Sequence, residues 1–161
     1  RRGAMPAMGL DCLKEQNCKQ GVFKMNIVFV CTGNTCRSPM AQALAIQQAQ
    51  KQGLDCNIIS AGLAAYRDAG ASENAIEAMR EIGVDISGHR SQPLTPSIIR
   101  QADIIVPMTD QHRQLLTAMG VPAEKLRSIG EIPDPYGGDL DVYRQCRDTL
   151  QQAVTALLSQ L

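Results

Sequence analysis

The sequence predicts an α/β domain built on a parallel sheet, and three observations predict it. Along residues 25–161, short apolar runs alternate with stretches of helical period, the pattern of successive βαβ units. The clearest apolar run, Ile27-Val28-Phe29-Val30, ends in a small polar turn that leads directly into an alanine-rich helical stretch. The length, 161 residues, suits one domain of ordinary size and leaves too little chain for two. The expectation is a single domain with a four-stranded parallel sheet and helices on both faces.

Each element follows from local pattern. Asn26–Cys31 is the first strand. Ser38 and Pro39 open a helix, Ser38 as its cap and Pro39 in the first turn, where a missing N–H costs nothing. Ala41, Leu44, Ala45 and Ala49 carry this helix to Gly53, a natural stop. Cys56–Ser60 is the second strand and Ser72–Ile82 the second helix, ended by Gly83. A polar, proline-bearing segment precedes a short helix at Ser97–Gln101 and a third strand at Asp103–Met108. Asp110–Met119 is helical and stops at Gly120-Val121-Pro122. Residues 126–129 are the expected fourth strand, and Asp139–Leu161 is a long terminal helix. Right-handed crossovers set the first strand between later ones, so its carboxyl end falls at a switch point where open sheets bind ligands.

Composition removes several classes of function. Sixteen basic residues balance sixteen acidic ones, and no basic block interleaves with aromatics, so nucleic acid is not an expected partner. The apolar runs reach five or six residues, too short to span a membrane. With no Trp, three Tyr and two Phe, the core must be aliphatic. The six cysteines, Cys12, Cys18, Cys31, Cys36, Cys56 and Cys146, fit neither a secreted disulfide framework nor paired zinc knuckles. A reducing cytoplasm is the expected location, and no metal or other cofactor is expected. Residues 1–24 show no steady period and lack a signal-type apolar core; they read as a leader or an expression remnant outside the domain at 25–161.

Residues 31–37, Cys-Thr-Gly-Asn-Thr-Cys-Arg, carry the chemistry. Cys31 sits where a strand ends, and Arg37 lies six positions on, across a small polar loop. Loop amides and a helix N-terminus converging on one point suit a phosphate-like dianion. A thiol at the floor of that cradle meets the helix dipole and a guanidinium, both of which favour thiolate over thiol. An inert core cysteine fits poorly beside an arginine and a Gly-Asn turn. Cys31 and Cys36 as metal ligands lack a completing pair.

Val30-Cys31-Thr32-Gly33-Asn34-Thr35-Cys36-Arg37-Ser38-Pro39, together with Asp134-Pro135-Tyr136-Gly137-Gly138, resembles the low-molecular-weight protein phosphotyrosine phosphatase family, over residues 25–161. The resemblance implies a flavodoxin-like sheet and the following roles. Cys31 attacks phosphorus and becomes a phosphocysteine; Arg37 clamps two phosphoryl oxygens; Asp134 protonates the leaving group and then activates water. Thr32, Gly33, Thr35 and Cys36 line the phosphate cradle. Ser38 hydrogen-bonds the Cys31 sulfur. Asn34 holds the loop in a strained turn, supported by Ser60 and His89, and Tyr136 lines the mouth. Cys36 is also placed to pair reversibly with Cys31 on oxidation, shielding it from irreversible over-oxidation.

Thr35 is the position that bears on substrate. Tyrosine-directed members of the family usually carry a larger aliphatic residue there. Bacterial members that remove phosphate from arginine carry Thr, and share the Asp-Pro-aromatic-Gly-Gly loop and a following Asp-x-Tyr, here Asp141-Val142-Tyr143. A guanidinium leaving group is rich in N–H donors, which Thr35 and Asp134 can accept; an Ile would leave them unpaired at about 1–3 kcal/mol each. Phosphoarginine is therefore the favoured substrate group and phosphotyrosine the alternative. On the resemblance, the partners are phosphorylated proteins and the chain acts as a monomer or weak dimer. If phosphoarginine is the substrate, the resemblance also implies a role opposing a bacterial protein-arginine kinase. Arsenate reductases share the fold and loop but need two further cysteines on a mobile segment, and no cysteine lies between Cys56 and Cys146.

Overall fold

The computed structural model describes residues 24–161; residues 1–23, with Cys12, Cys18 and nearly all of the expected leader, lie outside them. In chain order the elements are β1 (Met25–Cys31), α1 (Arg37–Gln52), β2 (Cys56–Gly62), α2 (Glu73–Arg80), α3 (Pro96–Gln101), β3 (Ile104–Pro107), α4 (Asp110–Ala118) and α5 (Leu140–Leu158). All pairings are parallel in the order β2-β1-β3, so β1 is the central strand, as the crossover argument required.

Alternation along β1 sends its side chains to two cores. Ile27, Phe29 and Cys31 join Met40, Leu44 and Ala45 of α1, Ala75 and Met79 of α2, and Leu150, Val154 and Leu158 of α5. Val28 and Val30 face the opposite way, with Ile105, Leu116 of α4 and Val121; Ile98 and Ile99 of α3 pack against this cluster. Helices therefore cover both faces, and Cys31 sits on the face that α1 covers. Burying about 0.8 kcal/mol per CH₂ makes these aliphatic layers the main source of stability in a domain with so few aromatics.

One element differs from expectation. Among the described residues the sheet has three strands, and the run 126–129 contributes only an isolated bridge between Leu126 and Ile105. Its backbone touches the sheet edge at intervals, through Arg127 N–H to Ile105 C=O at 3.1 Å and Ile132 N–H to Met108 C=O at 2.9 Å. A single turn of 3₁₀ helix at Ala123–Lys125 delivers the chain, and Gly130 takes it into a left-handed turn (φ +88°) five residues later. Between the two turns the backbone meets β3 at one point only. The segment still matters, because it carries the backbone from the sheet edge to Asp134.

Candidate active site

Cys31 ends β1, and α1 begins six residues later at Arg37. The residue expected to cap α1 does not. Cys36 occupies the cap position but its side chain makes no capping bond to the helix amides, the first turn holds no acidic residue, and Ser38 lies inside the helix. The N-terminal amides of α1 are thus left without an internal anion, the condition that suits an external one. Ser38 faces the sulfur instead, with Oγ 2.9 Å from Cys31 Sγ.

Between them Asn34 adopts a left-handed conformation, φ 57°, which asparagine tolerates better than most residues. It is fully buried and its polar atoms are all engaged. The backbone N–H donates to Cys31 Sγ at 3.2 Å, and Nδ2 donates to Ser38 Oγ at 2.8 Å and to Ser60 Oγ at 2.9 Å. Its Oδ1 accepts from the Gln92 backbone N–H at 2.9 Å, and its carbonyl accepts from His89 Nε2 at 2.7 Å. Ser60 in turn donates to Gln42 Oε1 at 2.6 Å. Burial holds the His89 ring below the ordinary histidine range, against the raising effect of the Asn34 carbonyl.

The loop also rests on Gly62 at the end of β2. Leu63 and Ala64 donate their N–H groups to the carbonyls of Cys31 and Thr32, both at 2.9 Å. A Cβ on Gly62 would lie 2.6 Å from the Thr32 carbonyl oxygen and 2.7 Å from Ala65 Cβ, so only glycine lets β2 pass this close.

Arg37 is buried, with one guanidinium nitrogen donating to the Ile132 carbonyl at 3.0 Å and the other 3.7 Å from Asp134 Oδ2. Asp134 is about half exposed, and its Oδ1 accepts from the Tyr136 N–H at 3.1 Å. The turn Pro135–Gly138 closes through Gly138 N–H to Pro135 C=O at 2.9 Å, with Gly137 at φ +82°. A pocket of about 240 Å³ is lined by Cys31, Thr32, Gly33, Thr35, Cys36, Arg37, Asp134 and Tyr136. Eight of the twelve residues expected at the site line this one pocket. The other four, Asn34, Ser38, Ser60 and His89, form the buried network behind it.

A thiol, a guanidinium and a carboxylate share this pocket with an uncapped helix N-terminus, and the chain around them matches the family model described as low molecular weight phosphotyrosine protein phosphatase over residues 26–161. The chain belongs to that family. It is a cysteine-dependent phosphatase. A protein-arginine-phosphatase of Bacillus subtilis is 40% identical over 146 residues, which cover 85% of this chain and 97% of the relative. The solved YwlE arginine phosphatase mutant with a phosphorylated active-site serine superposes with a TM-score of 0.81 at 39% identity, covering 85% of this chain and 95% of the other. A low molecular weight protein tyrosine phosphatase from T. tengcongensis gives 0.82 at 35% identity, covering 86% and 100%.

Sequence reasoning missed His112 and Ser72 as neighbours of the site in this phosphatase, and named Tyr143 without its contact. His112 on α4 is buried, and its Nε2 lies 2.9 Å from Thr32 Oγ1. Burial and the nearby Arg37 charge push its ring below the ordinary histidine range, opposed by Asp134 and Glu131. Tyr143 places Oη 3.3 Å from Cys36 Sγ. Burial and that bond raise the phenol to about 12. Ser72, which caps α2, holds the Thr35 carbonyl through its N–H at 2.9 Å. A signal for His112 existed: it sits four residues before Leu116, on the inward stripe of the helix that follows β3.

Proposed function

We propose that this phosphatase removes phosphate from phosphoarginine side chains of proteins through a phosphorylated Cys31. The Cys31 thiolate attacks phosphorus, the P–N bond breaks, and Asp134 gives its proton to the departing guanidine nitrogen. Water then attacks the phosphocysteine while the Asp134 carboxylate takes its proton; the S–P bond breaks and inorganic phosphate leaves. Arg37 clamps two equatorial oxygens, and Thr32, Gly33 and Cys36 contribute the cradle around them. Tyr136 flanks the entrance.

The observation that carries the arginine reading is Thr35 in the wall of the pocket that also holds Cys31, Arg37 and Asp134. Its hydroxyl, and the Asp134 carboxylate once the proton has passed, accept N–H groups of a guanidinium. An aromatic leaving group has no such donors. The similarity to proteins named as arginine phosphatases points the same way. Cys31, Cys36, Cys56 and Cys146 are free, which suits a reducing cytoplasm as the place of action.

Hydrolysis of a phosphoarginine peptide and a phosphotyrosine peptide of matched sequence, by the wild type and by Thr35→Ile, tests the reading. The wild type should prefer phosphoarginine by about tenfold or more, and Ile should weaken or reverse the preference, since each buried N–H left unpaired costs about 1–3 kcal/mol. A phosphotyrosine preference in both proteins would sink it and leave a tyrosine phosphatase with the same nucleophile.

A further inference from the structure

Thr32 belongs to two cavities. One is the phosphate pocket; the other is a groove of about 490 Å³ lined by Thr32, Leu63, Ala64, Gln111, His112, Leu115, Ala118 and Met119. The groove has two walls, and hydrogen bonds tie both to the same residue. On one side, the Leu63–Ala64 backbone is fixed through Ala64 N–H to the Thr32 carbonyl at 2.9 Å. On the other, α4 is fixed through His112 to the Thr32 hydroxyl at 2.9 Å. The groove therefore cannot move independently of the cradle.

Its open surface is mostly apolar, with Thr32 and Gln111 as exposed polar residues. Gln111, Leu115, Ala118 and Met119 fall at i, i+4, i+7 and i+8, one stripe at the outer edge of α4 and its C-terminal end. Leu115 is 47% exposed and Met119 53%. Among the described residues no charged side chain lines the groove, and the charged residues at the start of α4, Asp110 and Arg113, pair with each other at 2.7 Å. Two large exposed apolar side chains on one short helix, beside a reaction pocket, make a surface suited to an apolar partner.

The geometry points to this groove as a docking subsite for the substrate protein: the stretch flanking the phosphorylated residue, carrying an apolar side chain within three positions of it, lies between α4 and the 63–64 segment. This rests on the phosphatase reading above. A phosphorylated side chain that enters the pocket brings its own main chain beside it, and the groove shares exposed Thr32 with that pocket. No second molecule has to be invoked to fill it.

The test uses the full chain and two peptide sets, one with phosphoarginine and one with phosphotyrosine, in which a single Leu replaces Ser at each position from −3 to +3. p-Nitrophenyl phosphate serves as a substrate with no flanking chain. For the peptide type that is hydrolysed, Leu at one offset should raise kcat/KM about tenfold over Ser, the scale of discrimination one apolar group supplies. Leu115→Lys and Met119→Lys should abolish that gain and lower the peptide-to-ester ratio of kcat/KM by a similar factor. Both positions are exposed, and an unchanged melting temperature verifies the fold.

Indifference to the flanking residue, with both substrates hydrolysed, would overturn the subsite while leaving the phosphatase intact. A Leu preference that survives both substitutions would place the subsite elsewhere. A concentration-dependent dimer broken by Met119→Lys would give the groove to a second copy of the chain. Failure to hydrolyse either peptide set or the ester would defeat the phosphatase reading itself, and the subsite with it.

Discussion

Asn34 Nδ2 donates to Ser38 Oγ at 2.8 Å, and this bond sets the direction of the one that follows. Ser38 has a single hydroxyl proton. With a lone pair already occupied by the asparagine, that proton is directed at Cys31 Sγ, 2.9 Å away. The sulfur also receives the Asn34 backbone N–H at 3.2 Å. Two donors with no acceptor opposite match a thiolate, which can only accept. The left-handed turn at Asn34 lets one residue supply the amide and orient the serine together.

Ser38→Ala should therefore slow the enzyme without unfolding it. A hydrogen bond to a charged group is worth about 1.5–3 kcal/mol, so kcat/KM should fall about 10- to 100-fold. Alkylation of Cys31 by iodoacetamide at pH 6 should slow in parallel. Unchanged alkylation alongside lost activity would mean that Ser38 acts on something other than the sulfur.

A second pair sets a donor at the rim. His112 Nδ1 is buried without a partner among the described residues, so the ring proton belongs on Nε2, where it donates to Thr32 Oγ1; a buried orphan N–H would cost about 1–3 kcal/mol. The Thr32 proton is then free for whatever occupies the pocket. Thr32→Val and His112→Phe should each lower kcat/KM about 5- to 10-fold, and the double variant should be no worse than Thr32→Val alone. His112→Gln should recover much of the loss. Full additivity would show that the two residues act separately.

The nucleophile loop was legible because its signal is local: a strand, five residues and a helix contain Cys31, Arg37 and Ser38. Asp134 lies about a hundred residues away and came through the resemblance, as did the support of Asn34 by Ser60 and His89. Nothing local could reveal Gln42 or Gln92, and Tyr143 stood out only as part of the Asp-x-Tyr string; their contacts depend on how α1, the 92–94 segment and α5 pack. The helical cap failed at Ser38 for a physical reason. A residue with cap chemistry was recruited by the sulfur, and the helix end was left bare for a ligand. The fourth strand failed because the chain between a 3₁₀ turn and a glycine turn meets the sheet edge at a single bridge, Leu126 to Ile105.

Gly62→Ala tests how tightly β2 supports the loop. The new methyl group would meet a backbone oxygen at 2.6 Å and Ala65 Cβ at 2.7 Å, and backbone cannot rotate away. Overpacking of this kind costs about 1–3 kcal/mol. The melting temperature should drop by roughly 2–4 °C per kcal/mol for a chain of this size, and activity should fall because the Thr32 carbonyl is displaced. A variant with wild-type melting and turnover would show that the loop has slack at this point.

Stability should fall on mild acidification. Both histidines titrate below their ordinary value when folded, mainly through burial. As pH drops through about 6.5 the unfolded chain binds protons that the folded chain refuses, so unfolding becomes more favourable until the folded rings also protonate. Between pH 7.5 and 5.5 the midpoint of urea unfolding should decline, and His112→Gln should flatten that decline. The lowered carboxylates, Glu81 at about 2 among them, act below this window. A midpoint that rises toward pH 5.5 would contradict the assignment.

Asp134→Asn separates proton donation from the rest of the machinery. Asp134 lies 3.7 Å from Arg37 and about half exposed, at the mouth and away from the sulfur network. On the proposed mechanism, replacing it leaves the cradle in place while removing the acid. General acid catalysis contributes about 10²–10⁴-fold, and the benefit grows with the basicity of the leaving group. For a phosphopeptide kcat should fall by roughly 10²- to 10³-fold, with KM little changed. For p-nitrophenyl phosphate, whose leaving group departs readily as an anion, the loss should be about tenfold and should arise in the second step, where the carboxylate activates water. A burst of p-nitrophenol followed by slow turnover would display that step directly as accumulated phosphocysteine. Equal losses on both substrates, without a burst, would remove Asp134 from the acid role and leave it as a partner that only orients Arg37.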